Sequence, residues 1–217
     1  MVGESRSSPT RILVRAPIPR PCFRAFSTRS YSKARPDNLR GRNALYVLGE
    51  FAELSAASGI RRPLITAEGT REQVTKTAPD QIAVIGTLTS GAIASVHVRE
   101  AVAGGIGFLW EINGTDGTLR ITADAALPEI FPLRVAGARG RGEPVELPVP
   151  ATLTQKWPAL VSLEGAPAYN VGRAYAAFAE DIDNGTHTVP DFADAVRRHE
   201  VLAAIEKSAA SGERMTA

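Results

Sequence analysis

Few residues of this sequence combine the type and spacing that catalysis or ligand binding requires. His97 and Arg99 alternate along a predicted strand, so they share one face, where an imidazole and a guanidinium could contact an anionic or polyol ligand. Trp157, within Lys156-Trp157-Pro158, could contact a substrate from a loop. The competing interpretations are ordinary surface or interface roles for His97 and Arg99, and an anchoring role for Trp157. These three residues are the substrate-facing candidates.

Several kinds of active site are excluded by what the sequence lacks. Its 3 histidines and single cysteine, Cys22, have no zinc-site spacing and cannot build an internal disulfide framework. The glycine-rich segments 104–107 and 137–142 lack the G-x-G-x-x-G spacing of a dinucleotide-binding loop, and no P-loop or G-x-S-x-G motif occurs. We therefore predict no catalytic residue, no metal ligand and no cofactor-binding residue in this chain.

The net charge of +2 hides two unlike parts. Residues 1–42 hold 10 Lys and Arg against 2 Asp and Glu, whereas residues 43–217 hold 15 against 21. This basic leader, rich in Arg, Pro and Ser, is expected to be disordered. It could be a natural tail, a mitochondrial transit peptide or a product of a wrongly assigned gene start, although its prolines would break the helix that a transit peptide forms. We expect a cytoplasmic protein, or a mitochondrial one if the leader is a transit peptide.

The charge pattern and hydropathy also bear on the class of partner. The basic residues lie in the leader and not on one ordered surface, so direct nucleic-acid binding is not expected. The longest uncharged stretch, residues 81–98, contains too many polar and glycine residues to span a membrane. No membrane association is therefore expected.

The elements that must position the candidate residues follow from periodicity. Three-four spacing predicts a helix from Asn43 to Ala57, capped near Gly59. Alternation and turn residues then predict four consecutive strands in an antiparallel meander, the first of them buried on both faces: Gln81 to Thr89, Ala92 to Arg99, Phe108 to Asn113 and Thr118 to Thr122. Two helices follow, from Ala168 to Asp183 and from the N-cap Asp191 to Gly212. The predicted class is α+β, an open and mainly antiparallel sheet with helices packed on one face.

Three stretches together resemble a known family. They are YVLGE at 46–50, GFLWEINGTDGTL at 107–119, and VPDFADAVRRH at 189–199 with IEKS at 205–208. The combination resembles the C-terminal domain of the Gfo/Idh/MocA oxidoreductases, and most closely the branch that includes the fungal galactose-regulon repressor. The resemblance covers residues 43–214, so the predicted domain is 43–217.

The resemblance implies a protein of two domains. An N-terminal Rossmann domain binds NAD or NADP, a C-terminal α+β domain closes the substrate site, and its sheet commonly forms the oligomer interface; substrates are sugars, polyols and similar compounds. This sequence departs from that pattern. It has no Rossmann fingerprint or Glu-Lys-Pro motif, and Leu39 and Arg42 occupy the positions of the family's His-x-x-Asp pair.

Besides an active sugar dehydrogenase whose N-terminal half is missing from this chain, two functions remain open. The first is a truncated oxidoreductase of this family that retains the substrate and oligomerisation domain and is inactive alone, with NAD or NADP implied only for the full-length protein. The alternative is a non-catalytic ligand-binding or regulatory module that resembles the galactose repressor and works through dimerisation or a partner chain. Both imply a homo-oligomer formed through the sheet face and a small sugar or polyol as ligand. The missing domain also predicts an apolar helical surface that is either left exposed or covered by the leader.

Overall fold

A computed structural model describes residues 47–66, 72–99, 107–125 and 131–217, and the backbone of residues 10–15. Its strands are β1 Thr10–Arg15, β2 Phe51–Gly59, β3 Leu64–Thr66, β4 Gln73–Thr75, β5 Gln81–Leu88, β6 Ile93–Arg99, β7 Phe108–Asn113, β8 Gly117–Ala123, β9 Arg134–Arg139, β10 Val145–Glu146 and β11 Met215–Thr216. Its helices are α1 Ala151–Thr154, a 3-10 helix at Pro158–Leu163, α2 Ala168–Asn184 and α3 Phe192–Ser211.

Nine of the strands form one sheet in the order β10-β9-β8-β7-β1-β6-β5-β2-β11. Every pairing in it is antiparallel except that of β1 with β7. β3 and β4 form a separate antiparallel pair. Helix α3 packs on β2 and contacts β11. The predicted α+β class, with an open and mainly antiparallel sheet, is therefore confirmed.

The core lies on the sheet face that α3 covers. Alternate residues of β5 to β8 point into it, among them Val84, Val96, Trp110 and Ile121, all at most 6% exposed. From the helix, Val201, Leu202 and Ile205 join the same cluster. Side chains alternate in direction along a strand, so the remaining residues of each strand point away from the core. We call the uncovered side the outer face.

The predicted helix from Asn43 to Ala57 is wrong from residue 49 onward; residues 47 and 48 are helical, and residues 43–46 lie outside the described residues. Residues 51–59 form β2, and Gly59 pairs with Gln81 at the strand end and caps no helix. The cause is a bulge: the register with β5 shifts between Phe51 and Glu53. A bulge lets residues three apart share one face of a strand. Phe51 and Leu54 are therefore both buried, with the spacing that a helix would give.

Two predictions about the sheet also need correction. β5 is covered on one face only, since Ile85 is 56% exposed on the outer face. β5 has apolar residues on both faces because one face lies in the core and the other is an exposed apolar surface. In addition, the four predicted strands do not form a continuous meander, because β1 lies between β6 and β7. The leader is predicted to be disordered, but its residues 10–15 form this strand. The rest of the leader lies outside the described residues.

Candidate functional site

His97 and Arg99 lie on β6, as predicted, and the alternation of the strand directs them to the outer face. His97 pairs in register with Ala83 of β5, and Arg99 with Gln81. Partial burial and the positive charge of Arg99 lower the pKa of His97, which favours the neutral imidazole at pH 7. The pair therefore belongs to an open sheet surface, and contact with a ligand there stays a prediction.

Trp157 lies in the segment that packs against α2. Its Nε1 donates a hydrogen bond to Glu180 Oε1 at 2.8 Å. Lys156 Nζ contacts the other Glu180 oxygen at 2.6 Å and stands 4.5 Å from the centre of the Trp157 ring. Glu180 thus holds the loop to the helix, which is the anchoring role weighed for Trp157. Within the described ranges, no hydrogen bond, ion pair or ring contact joins Trp157 to His97 or Arg99.

The outer face carries a patch of small and apolar residues across β2, β5 and β6. In-register pairs Ala57–Ala83, Ser55–Ile85 and Thr87–Ile93 place these side chains on one surface, with Ser95 opposite Ile85. Ile85 is 56% exposed and Ile93 is 49% exposed. We call the set Ser55, Ala57, Ala83, Ile85, Ile93 and Ser95 the outer patch. None of its members is charged.

Polar groups border the outer patch at both ends. At one end Arg214 forms an ion pair with Glu53, and Thr87 Oγ1 donates to Glu53 Oε1 at 3.3 Å. At the other end stand His97 and Arg99. An uncharged centre with a polar border is the general layout of a protein–protein interface. His97 and Arg99 are thus placed as border residues of the outer patch.

A second apolar surface lies on α2. Val171, Tyr175, Phe178 and Ile182 follow i, i+4, i+7 and i+11 spacing and are 50–66% exposed. The residues that α2 buries are instead Tyr169, Ala177 and Asp181. The predicted helix is confirmed, and these four residues share one side of it as their spacing predicts. That side faces away from the described core. We call these four residues the α2 stripe. That this stripe is the surface where the missing domain would pack stays a prediction.

Asp181 fixes the turn between α2 and α3. Its Oδ1 accepts hydrogen bonds from the hydroxyls of Thr186 and Thr188, both at 2.7 Å, and its Oδ2 accepts from the backbone N–H groups of Thr188 and Val189. Burial raises the pKa of this carboxyl, but the four donors outweigh it and hold the pKa well below its usual range. Asp191 then caps α3 through a reciprocal hydrogen-bonded pair with Asp194, as predicted.

The described ranges contain no cluster of three His, Cys, Asp or Glu side chains that could hold a metal ion. Nor does any helix there have the length and apolarity to cross a bilayer.

Sequence reasoning missed the outer patch, although a signal for it was present. β5 and β6 alternate so that one face carries Ala83, Ile85, Ile93 and Ser95 and the other carries Val84, Ala94 and Val96. The outer set includes the polar Ser95, and His97 and Arg99 follow on the same side of β6, whereas the three core residues are all aliphatic. That difference separates an uncovered face from a buried one.

Comparison with known proteins identifies the relationship. Residues 43–123 match the family model described as Gal80p-like, the C-terminal domain of Gal80p. A search of curated protein sequences finds no significant match. The match to the family model confirms the resemblance predicted from the sequence.

Solved structures show the same fold over nearly the whole chain. A super-repressor mutant of Gal80p from Saccharomyces cerevisiae superposes with a TM-score of 0.65 at 17% identity, over 99% of this chain and 58% of that one. Levoglucosan dehydrogenase in its apo form gives 0.61 at 20% identity, over 97% and 59%. An NAD-binding oxidoreductase from Klebsiella pneumoniae gives 0.59 at 18% identity, over 98% and 60%. The chain thus has the fold of the C-terminal domain of Gal80p and of Gfo/Idh/MocA-type oxidoreductases, and spans about three fifths of these structures.

Proposed function

We propose that this chain is a substrate and oligomerisation domain of Gfo/Idh/MocA type, which pairs with a second copy through its outer patch. The observation that carries this is the patch itself, because Ile85 and Ile93 are both about half exposed and lie among small, uncharged neighbours. A two-fold interface would set the patch against its own copy, with Arg214, Glu53, His97 and Arg99 at the border.

The second part of the proposal is that any nicotinamide cofactor is held by a separate dinucleotide-binding domain. The support is that one structural relative is described as an NAD-binding oxidoreductase and another as a complex with NADH and L-sorbose. This chain spans only about three fifths of each. The α2 stripe offers an apolar surface against which such a domain could pack.

Isothermal titration of the full chain with NAD and NADP tests this part. We expect no saturable heat up to millimolar cofactor, and no hydride transfer with sugars or polyols. Micromolar affinity for either cofactor would overturn it. A dehydrogenase of known activity, titrated under the same conditions, serves as the positive control.

A regulatory module is the second candidate function. It is favoured by the match of residues 43–123 to the Gal80p C-terminal domain, because Gal80p of Kluyveromyces lactis is described as a transcriptional regulator. Such a module would work through dimerisation or a partner chain, without chemistry of its own. Both candidates imply a sugar or polyol ligand, so sugar binding alone does not separate them. The discriminating measurement is hydride transfer after the Rossmann domain of a related dehydrogenase is fused to the N-terminus: restored transfer favours the oxidoreductase half, and sugar binding without transfer favours the regulatory module.

A further inference from the structure

We propose that the sheet contains a strand-accepting slot between β6 and β7, which the leader fills permanently with residues 10–15. Residues 10–15 are then a structural part of the domain, and the segment that carries them is not a removable targeting peptide. The proposal concerns the basic leader and is independent of the function proposed above.

β1 is in continuous register with both of its neighbours, β6 and β7. The backbone of β1 pairs antiparallel with β6 from Thr10 opposite Val98 to Arg15 opposite Ile93. It pairs parallel with β7 from Thr10 opposite Phe108 to Arg15 opposite Asn113. Six residues are thus matched on both sides without a bulge.

Among the described strands, β1 is the one that joins the two halves of the sheet. On one side stand β10, β9, β8 and β7, and on the other β6, β5, β2 and β11; β6 and β7 are neighbours of β1 and not of each other. Without β1, two strand edges would be unpaired in the middle of the sheet. Unpaired backbone groups in such a place are costly, and exposed edges recruit other strands.

The buried core continues on both sides of the slot, on β6 and on β7. Val96 on β6 is 6% exposed and Trp110 on β7 is 3% exposed, and both belong to the same buried cluster. Ile12 is the β1 residue in register with each of them. Loss of the strand between them would open this cluster to solvent.

The local sequence agrees with a strand. Ile12-Leu13-Val14 is a run of aliphatic residues, two of them β-branched, as strands favour. Pro9 precedes the strand and Pro17 follows it. Proline cannot donate a ladder hydrogen bond, so it is not expected inside a central strand, and none lies within residues 10–15. The family model begins at residue 43, but the Gal80p super-repressor structure covers 99% of this chain, so that structural match extends into the leader.

The consequence concerns processing. Arg24-Ala25-Phe26-Ser27 resembles a mitochondrial cleavage site. Cleavage there would separate β1 covalently from the domain. The slot would then either keep the cut strand by its pairing or stand open to another extended segment.

A disulfide in the full chain tests the register. In a Cys22→Ser background, Leu13→Cys with Ser95→Cys places the two cysteines directly opposite each other, about 5 Å apart at Cα, within disulfide reach. The matched control is Leu13→Cys with Ile85→Cys, which lies one strand further away at about 10 Å. We expect nearly complete oxidation of the first pair and little of the second, measured by mass spectrometry. Equal yields, or no bond in either pair, would overturn the proposal.

A second experiment tests permanence and does not depend on the cysteines. A specific protease site replaces residues 30–36 of the full chain, and the cut protein is passed over a size-exclusion column. We expect the fragment that carries residues 10–15 to co-elute with the domain, and the midpoint of urea unfolding to fall only when that fragment is displaced. Free release of the fragment with an unchanged midpoint would contradict the proposal.

Discussion

The backbone N–H of Ala56 donates a hydrogen bond to Ser208 Oγ at 2.9 Å, which ties β2 to the last turn of α3. The same hydroxyl donates to the carbonyl of Glu213 at 2.6 Å. Ser208 is 1% exposed, so water cannot replace either bond. One small polar side chain thus fixes the helix that covers the core and the segment that leads to β11.

We predict that Ser208→Ala destabilises the fold by about 1–3 kcal/mol, because it leaves the partly buried Ala56 N–H without its acceptor. Urea unfolding followed by circular dichroism measures the change. Ser211→Ala is the control, since Ser211 accepts only an exposed bond from Glu213 N. A loss no larger than that of the control would show that the Ser208 hydroxyl is not needed.

The carboxyl of Asp181 predicts an acid dependence. Its pKa in the folded state is depressed, so its stabilisation is complete above the unfolded value of about 3.9 and is lost as the pH falls further towards the folded pKa. Asp181→Asn removes this dependence. Between pH 7 and pH 3, the midpoint of unfolding should therefore decrease more in the wild type than in the variant. Parallel pH profiles would rule out this role for Asp181.

The α2 stripe predicts substitutions that leave the fold intact. Phe178→Ser and Ile182→Ser should change the free energy of unfolding by no more than about 0.5 kcal/mol, because both side chains are already more than half exposed. Fluorescence of a hydrophobic dye on the native protein should fall. Ala177→Asp, on the buried side of the same helix, should instead be strongly destabilising. A large loss of stability in Phe178→Ser would mean that the stripe packs within this chain.

Much of the fold follows from the sequence where local signals agree. The Asp191 cap, the Gly212 end of α3 and the alternation of β5 to β8 each have a local cause, and each is found in the structure. β2 was mistaken for a helix because a bulge between Phe51 and Glu53 gave a strand helical spacing. That register depends on β5, some thirty residues away, and no local pattern contains it.

The site was less accessible to sequence reasoning for a similar reason. Alternation places His97 and Arg99 on one strand face, but which face is covered depends on where α3 packs. Likewise, the periodicity of α2 identifies an apolar stripe without showing whether this chain buries it. The anchoring of Trp157 by Glu180 joins residues 23 positions apart and needed the folded helix to be seen.

The measurement that tests the proposed function most directly is sedimentation equilibrium of the full chain and of two variants. Ile85→Asp places a charge at the centre of the outer patch, whereas Val74→Asp places one on an exposed residue of β4. We predict a dimer of about twice 23.0 kDa for the wild type and for Val74→Asp. Ile85→Asp should raise the dimer dissociation constant more than tenfold, the equivalent of about 1.4 kcal/mol. A monomeric wild type, or a dimer equally stable in all three proteins, would contradict pairing through the outer patch.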